Sequence, residues 1–447
     1  MISAILSAFL LALHLPQGGA HECVENASLV VRGGSGDDRQ LEASWWVRTS
    51  GRDGQSRSRF YRIRSDLSPQ ETQLYADRLD LMYQEYKRRI GALPQRTAEV
   101  NDVFMFRRQS DYVNTLREQF GLNGVGSGGM FFTSPAGSGL AFFTENLPRS
   151  RVFHVIQHEG FHQYAFSRFG HDLPPWVNEG IAEFFGESVV VDGTVVIGQT
   201  SERSLKTLQA AIAAGKFLRF RDLITMNGDR WNANVTGGNA ALQYMQAWSM
   251  VHFLVYGDGG KYQGAFEKYL ALLNRSVAPY DAFVQAFGTD DIDSFEQRWL
   301  EHAKTARPSA FVTALERIEF LAEGLRTLSD KGTIPKSLDE LQTALKDAKF
   351  TTTVGGIGAT FDKPIVLSAD DDTNFQIPDD DLSKGTPTFE LTPAKLKRGA
   401  NKKDKALEEK HPTPPSLATK DLAPRNLVVR WARLKDGERF VFDIDVK

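Results

Sequence analysis

His158-Glu159-Gly160-Phe161-His162 sets two imidazoles four residues apart with a carboxylate between them. On a helix, residues i and i+4 stand one above the other on the same face, so both rings could reach one tetrahedral zinc ion. Glu159 lies beside them, where it could take a proton from water. The competing reading is a surface helix carrying two solvated histidines and one glutamate.

A catalytic zinc site needs a third protein ligand and an open fourth position. Sixteen residues separate His162 from Glu179, and they contain a break at 170–175 followed by a helical stretch at 176–185. A helix, break and helix of that length can return an acid to the face of the first helix. Glu183 follows Glu179 by one turn and reads either as an acceptor that orients a ligand histidine through its free ring N–H or as a surface carboxylate. His154, one turn before His158, reads more readily as a packed or solvated histidine than as a fourth ligand. The metzincin spacing is excluded, because its third histidine would fall at Arg168 and its glycine at Ala165; His171 is a weak substitute. Gly160 in a helix interior costs about 1 kcal/mol relative to alanine and would admit close approach of a neighbouring strand.

The pentapeptide followed by Trp176-Val177-Asn178-Glu179-Gly180-Ile181-Ala182-Glu183-Phe184 resembles the gluzincins, the zinc peptidases that include aminopeptidase N and thermolysin. More closely, residues 60–303 are similar to a bacterial family of exported, peptidase-like proteins of that superfamily whose function is largely unassigned. The resemblance is specific at the two motifs and covers a little over half of the chain. It implies that His158, His162 and Glu179 bind one Zn2+, that Glu159 is the general base and later the proton donor, and that the substrate is a peptide or protein. The gap between the motifs is slightly shorter than in aminopeptidase N, which bears on the connecting loop more than on the ligands. The resemblance also implies an exposed edge strand just before the motif helix that pairs with an extended peptide. Residues 140–144 occupy that place, an ordinary internal strand being the other reading. Many gluzincins set a Tyr or His on a later helix to stabilise the oxyanion. Tyr244 is the best-placed candidate and His252 the next, although both lie in a strongly apolar stretch where a packed core aromatic competes.

The elements that must position these groups are visible as patterns. Ser68, Pro69 and Glu71 give a helix start, and Tyr75, Leu79, Met82, Tyr86 and Ile90 recur at steps of three and four. Residues 100–106 read as a strand, 111–120 as a helix, and 130–133 with 140–144 as a hairpin leading into the motif helix at 151–169. Further helices are expected at 202–214, 240–256, 261–274, 294–303, 311–328 and 337–345. Strands are expected at 351–375 and 427–446, with a solvated, Lys-, Glu- and Pro-rich segment at 392–424 between them.

The expected architecture is α+β. Residues 1–20 read as a signal peptide, 21–66 as a small β-rich segment, 67–307 as a zincin-like peptidase domain and 308–447 as an α/β accessory region. The apolar run 2–15 with small residues at 18–20 reads as a secretory signal cut after Ala20, a retained N-terminal anchor being the rival because no Lys or Arg precedes it. Either implies an exported protein, periplasmic, cell-surface or extracellular. No later stretch approaches the roughly 20 apolar residues of a membrane span. The single cysteine, Cys23, cannot form an internal disulfide.

Fifty-three basic against 56 acidic residues, net charge -3, give no field that would draw nucleic acid or an anionic membrane. The basic run 395–405 lacks interleaved aromatics, and the acidic clusters 370–372 and 379–381 lack the spacing of a calcium loop. Zinc-dependent peptide hydrolysis is the expected function. The alternative is a non-catalytic exported binding or envelope protein that retains the peptidase fold.

Overall fold

A computed structural model describes residues 30–31, 41–42, 44–46, 58–147, 149–191, 193–354, 365–378, 386–394, 408–409, 411–434 and 439–447. The expected signal, Cys23, the basic run 395–405 and the acidic cluster 379–381 lie outside the described residues. The fold is mixed α+β with small sheets. The chain divides into two compact units, the first formed by residues 1–188, 207–305 and 360–362 and the second by 189–206, 306–359 and 363–447.

In the first unit a short pair, β1 (Val30–Val31) and β2 (Leu41–Glu42), precedes a five-stranded sheet. Its strands are β3 (Ser44–Trp46), β4 (Arg62–Ser65), β5 (Asp102–Phe106), β6 (Gly129–Ser134) and β7 (Gly137–Phe143), in the spatial order β3-β4-β5-β7-β6. Of the expected β-rich segment 21–66, β1 and β2 pair with each other, while β3 and β4 belong to the same sheet as β5. β7 runs parallel to β5 and antiparallel to β6.

The expectation that 140–144 forms the free edge is corrected by this order: β7 is internal, and among the described residues β6 is the edge. The later hairpin strand, β7, is the one that pairs with β5, which leaves β6 outermost.

Strand alternation sorts the side chains to two faces. Phe104, Phe106, Met130, Phe132, Ala141 and Phe143 pack with Tyr112 and Leu116 of α2 (Gln109–Phe120). On the other face Phe142 meets Tyr75 of α1 (Pro69–Ile90), their rings 5.5 Å apart. Ser68 and Glu71 close a capping box at the start of α1, with Pro69 in its first turn.

The motif helix is α3 (Arg149–Phe169), and α4 (Pro175–Gly186) is buried at every position. A helix enclosed on all sides needs no solvated polar face, so the polar side chains α4 does carry, Asn178, Glu179 and Glu183, are themselves buried. Gly160 faces α1 rather than a strand: a Cβ there would come 3.2 Å from the Tyr86 hydroxyl, which donates to the Gln157 carbonyl at 2.6 Å.

Beyond α4 come β8 (Val189–Val191) and β9 (Thr194–Val196), a hairpin assigned to the second unit. Helices α5 (Glu202–Ala213), α6 (Phe220–Ile224), α7 (Gly228–Asn234), α8 (Ala240–Gly260), α9 (Gln263–Asn274), α10 (Pro279–Phe287) and α11 (Ile292–Thr305) follow. α8 packs along α4. A Cβ on Gly180 would stand 2.5 Å from the Ala247 carbonyl oxygen, so the two backbones approach as closely as glycine allows.

The second unit joins α12 (Ala310–Asp330) and α13 (Leu338–Asp347) to the hairpin β10 (Thr351–Val354) and β11 (Ile365–Ser368). An antiparallel sheet follows in the order β12 (Thr388–Thr392), β13 (Ser416–Lys420), β14 (Leu427–Arg433) and β15 (Phe440–Val446). Ile318, Leu321, Leu345, Phe389, Leu417 and Leu427 share its core. The reading of 392–424 as one solvated segment is thus corrected at its end: Leu417 is fully buried and β13 pairs along the whole of β12. The expected strand at 351–375 ends earlier, in a 3-10 turn at Asp372–Phe375 capped by Asp371. Asp372 pairs with Lys346, so these acids of the 370–372 cluster have structural partners. No helix among the described residues is long and apolar enough to cross a membrane.

Candidate metal centre

α3 presents His158 and His162 on one face, and α4 brings Glu179 against it. His158 Nε2 lies 3.0 Å from His162 Nε2 and 3.3 Å from Glu179 Oε2, and His162 Nε2 lies 3.4 Å from the same oxygen. Zinc–nitrogen bonds of about 2.0–2.1 Å at tetrahedral angles place neighbouring donor atoms about 3.3 Å apart, so this triangle has the edges of a tetrahedral ligand set. His158, His162 and Glu179 form a buried group able to hold a metal ion.

The surroundings of Glu179 test that fit. Its side chain is 0% exposed, and apart from the two ring nitrogens at 3.3 and 3.4 Å its carboxylate oxygens have no hydrogen-bond partner. A fully buried, unsatisfied carboxylate costs several kcal/mol, and a cation at the centre of the triangle would offset this. Burial pushes the Glu179 carboxyl up, but His162 and His158 outweigh it and leave its pKa below the ordinary value.

Two partners fix the histidines. Asn178 Oδ1 lies 3.0 Å from His162 Nδ1, and Glu183 Oε1 lies 3.3 Å from His158 Nδ1. An acceptor facing Nδ1 orients the ring so that Nε2 is the nitrogen turned to the metal position. Burial acts to lower the His158 imidazole, but Glu183 and Glu179 outweigh it and raise its pKa well above the ordinary value, so a bound cation would displace a proton there. Glu183 Oε2 also lies 3.5 Å from His154 Nε2. Burial acts to raise the Glu183 carboxyl, yet His158 and His154 bring it down to about 2, while burial drives the His154 imidazole down to about 3. His154 thus stands behind Glu183, and a second buried group of possible ligands, His154, His158 and Glu183, shares His158 with the first.

Gln157 locks α3 to α4. Its Nε2 faces the carbonyls of Phe185, Gly186 and Ser188, each at 3.0 Å, and its Oε1 accepts from Arg78 at 2.8 Å. Nothing in the motif pattern singles out Gln157. Asn178 was legible only as the residue before Glu179.

Glu159 is buried, and its Oε2 accepts from the Phe131 N–H of β6 at 2.8 Å. Burial raises its pKa against the lowering influence of His158, His162 and this amide. The base therefore sits at the outer edge of the edge strand.

Tyr244 is buried on α8, its ring 5.4 Å from Trp231. Burial first, then the charge of Glu179, raises its phenol well above the ordinary value, with smaller contributions from Glu183 and Glu159. Of the two oxyanion candidates, Tyr244 is the one on which the carboxylates of the site act electrostatically. His252 pairs with His302, Nδ1 to Nε2 at 3.0 Å, and packs among Phe184, Trp248 and Tyr256. His171 is exposed, its ring 4.9 Å from Phe166, and belongs to neither group of possible ligands.

The matching protein family is described as "Protein of unknown function (DUF1570)", and it covers residues 153–272. That stretch runs from the motif helix through α4 and α8 into α9, so it contains every residue of the centre. No curated protein matches the chain.

Proposed function

We propose that this chain is an exported, zinc-dependent peptidase of gluzincin type, with a zincin-like domain in its first unit. The observation that carries the reading is the triangle of His158 Nε2, His162 Nε2 and Glu179 Oε2 around an otherwise unsatisfied buried carboxylate. Zinc, when bound, supplies a Lewis acid that polarises the scissile carbonyl and acidifies water.

The chain's own groups would do the rest. Asn178 and Glu183 orient the ligand rings with Nε2 toward the metal. Glu159, its pKa raised by burial, takes a proton from the attacking water and passes it to the amine as the C–N bond breaks. The Tyr244 phenol keeps its proton at neutral pH and donates a hydrogen bond to the oxygen that gains charge. The free edge of β6 offers backbone donors and acceptors to an extended peptide. No covalent intermediate is required.

The deciding experiment measures zinc per chain and cleavage of a diverse peptide library by the protein starting at His21. One zinc per chain, lost in His158→Ala and Glu179→Ala, together with cleavage abolished by Glu159→Gln, is expected. Zinc without cleavage would sink the enzyme and leave the binding-protein alternative. Absence of zinc after metal is supplied would remove the centre itself.

A further inference from the structure

α3 is buried almost throughout from Val152 to Phe169, and its exceptions are two half-exposed aromatics, Phe153 and Phe166. Phe153 is covered by the Arg78 guanidinium, 3.9 Å above its ring, and by Tyr75. Phe166 instead meets the ring of Phe131 at 5.7 Å and that of His171 at 4.9 Å. Phe131 is half-buried and His171 exposed.

The position of this group is informative. Phe166 follows His162 by one turn, so His158, His162 and Phe166 form a single stripe along α3. Phe131 carries the N–H that holds Glu159, which puts its backbone beside the base, while its ring meets Phe166 of α3. Its neighbours Met130 and Phe132 point to the opposite face and pack against α2. Phe131 therefore turns toward α3 and the centre. Partly exposed aromatics next to a buried polar site have the make-up of a ligand pocket wall. The nearby charges are already engaged: Asp172 pairs with Arg96 at 2.7 Å. Burial lowers the His171 imidazole, so at neutral pH the third wall is uncharged.

We infer that Phe131, Phe166 and His171 form the pocket that receives a large apolar side chain, aromatic or long aliphatic, next to the peptide bond that is cut. This rests on the peptide-hydrolysis reading and narrows its substrates. Apolar pockets discriminate by about 10–200-fold per methylene-sized difference, so selectivity against small or charged residues should be measurable.

The test uses the zinc-loaded mature chain and quenched-fluorescence peptides that differ only in the residues flanking the cut, with Phe, Leu, Ala, Lys or Asp there. A kcat/KM at least about 10-fold higher for Phe and Leu than for Ala, and lower still for Asp, is expected. Phe166→Ala should shrink the Phe-to-Ala ratio at least fivefold, and Phe166→Arg should turn the preference toward Asp, with zinc content unchanged as the control for folding. Equal rates for all five peptides, or variants that scale every peptide alike, would overturn the pocket. Fluorescence anisotropy with the Glu159→Gln protein separates this outcome from failure of the hydrolysis reading. If the unaltered protein cuts nothing but this variant binds the Phe peptide at least about 10-fold more tightly than the Asp peptide, the pocket stands and catalysis falls. If it binds them equally, or binds neither, the pocket falls as well.

Discussion

Asn178 Oδ1 lies 3.0 Å from His162 Nδ1, the ring nitrogen turned away from the proposed metal. Adjacent residues of α4 thus do two jobs: Glu179 faces the centre, and Asn178 orients the ring of the histidine opposite. Glu183, 3.3 Å from His158 Nδ1, does the same for the other ring. Losing such a partner typically lowers metal affinity about 10–100-fold. Asn178→Ala and Glu183→Ala should each weaken zinc binding by that factor, measured by competition with a chromophoric chelator. Unchanged affinity in both variants would mean that the rings are held by packing alone.

Glu159 belongs to neither group of possible ligands and is held by the Phe131 amide. Glu159→Gln keeps the shape and an oxygen able to accept from that amide, while removing the base. Zinc content should stay near one per chain and peptide cleavage should fall about 10²–10⁴-fold, the usual contribution of general acid–base catalysis. Loss of zinc together with activity would assign Glu159 a ligand role instead.

The parts of this site that were legible in the sequence are those whose geometry is local. His158 and His162 share a face because helix periodicity requires it, and Glu183 follows Glu179 by one turn for the same reason. What was not legible depends on tertiary contact. The order β5-β7-β6 depends on which hairpin strand pairs with β5, and apolar patterns do not encode that choice. β13 was hidden in a charged stretch because Leu417 and Leu422 are the large aliphatic side chains that reach the core there. The role of Gln157 comes from three carbonyls at the end of α4, 28 to 31 residues away.

Gly180 marks where α4 and α8 touch. Replacing it with alanine would put a Cβ 2.5 Å from the Ala247 carbonyl oxygen and 2.8 Å from a Val251 methyl. The clash is with backbone and cannot be relieved by a rotamer change. Gly180→Ala should destabilise the first unit by about 1–3 kcal/mol, the range for overpacked cores. Gly264→Ala, at an exposed position of α9 with nothing near its Cβ, should be neutral or stabilising by up to about 1 kcal/mol. Urea unfolding of the two variants checks both signs, and equal midpoints would show that α4 and α8 can part without cost.

Metal removal should be felt in stability as well as activity. Without a cation, the buried Glu179 carboxylate has no hydrogen-bond partner apart from the two ring nitrogens. A ligand that binds only the folded state stabilises it by about 2.7 kcal/mol at 100 times its Kd. The Tm should therefore fall on dialysis against a chelator and rise with added zinc in a concentration-dependent way. In His158→Ala it should not respond to zinc; a response there would place the stabilising metal elsewhere.

Tyr244 offers the sharpest separation of chemistry from metal binding. It lies on α8, outside the ligand triangle, yet the charges of Glu179, Glu183 and Glu159 all act on its hydroxyl. Their effect and burial both favour the protonated phenol, so at any working pH near neutral the group is a donor. Tyr244→Phe removes one hydroxyl from a buried ring and leaves the aromatic contact with Trp231 in place. Removing a single oxyanion donor costs about 10²–10³-fold in kcat. The expected result is a fall of that size in kcat, with KM and zinc content little changed. A fall in stability with normal kcat would make Tyr244 a core residue whose hydroxyl serves packing, and the oxyanion would need another donor.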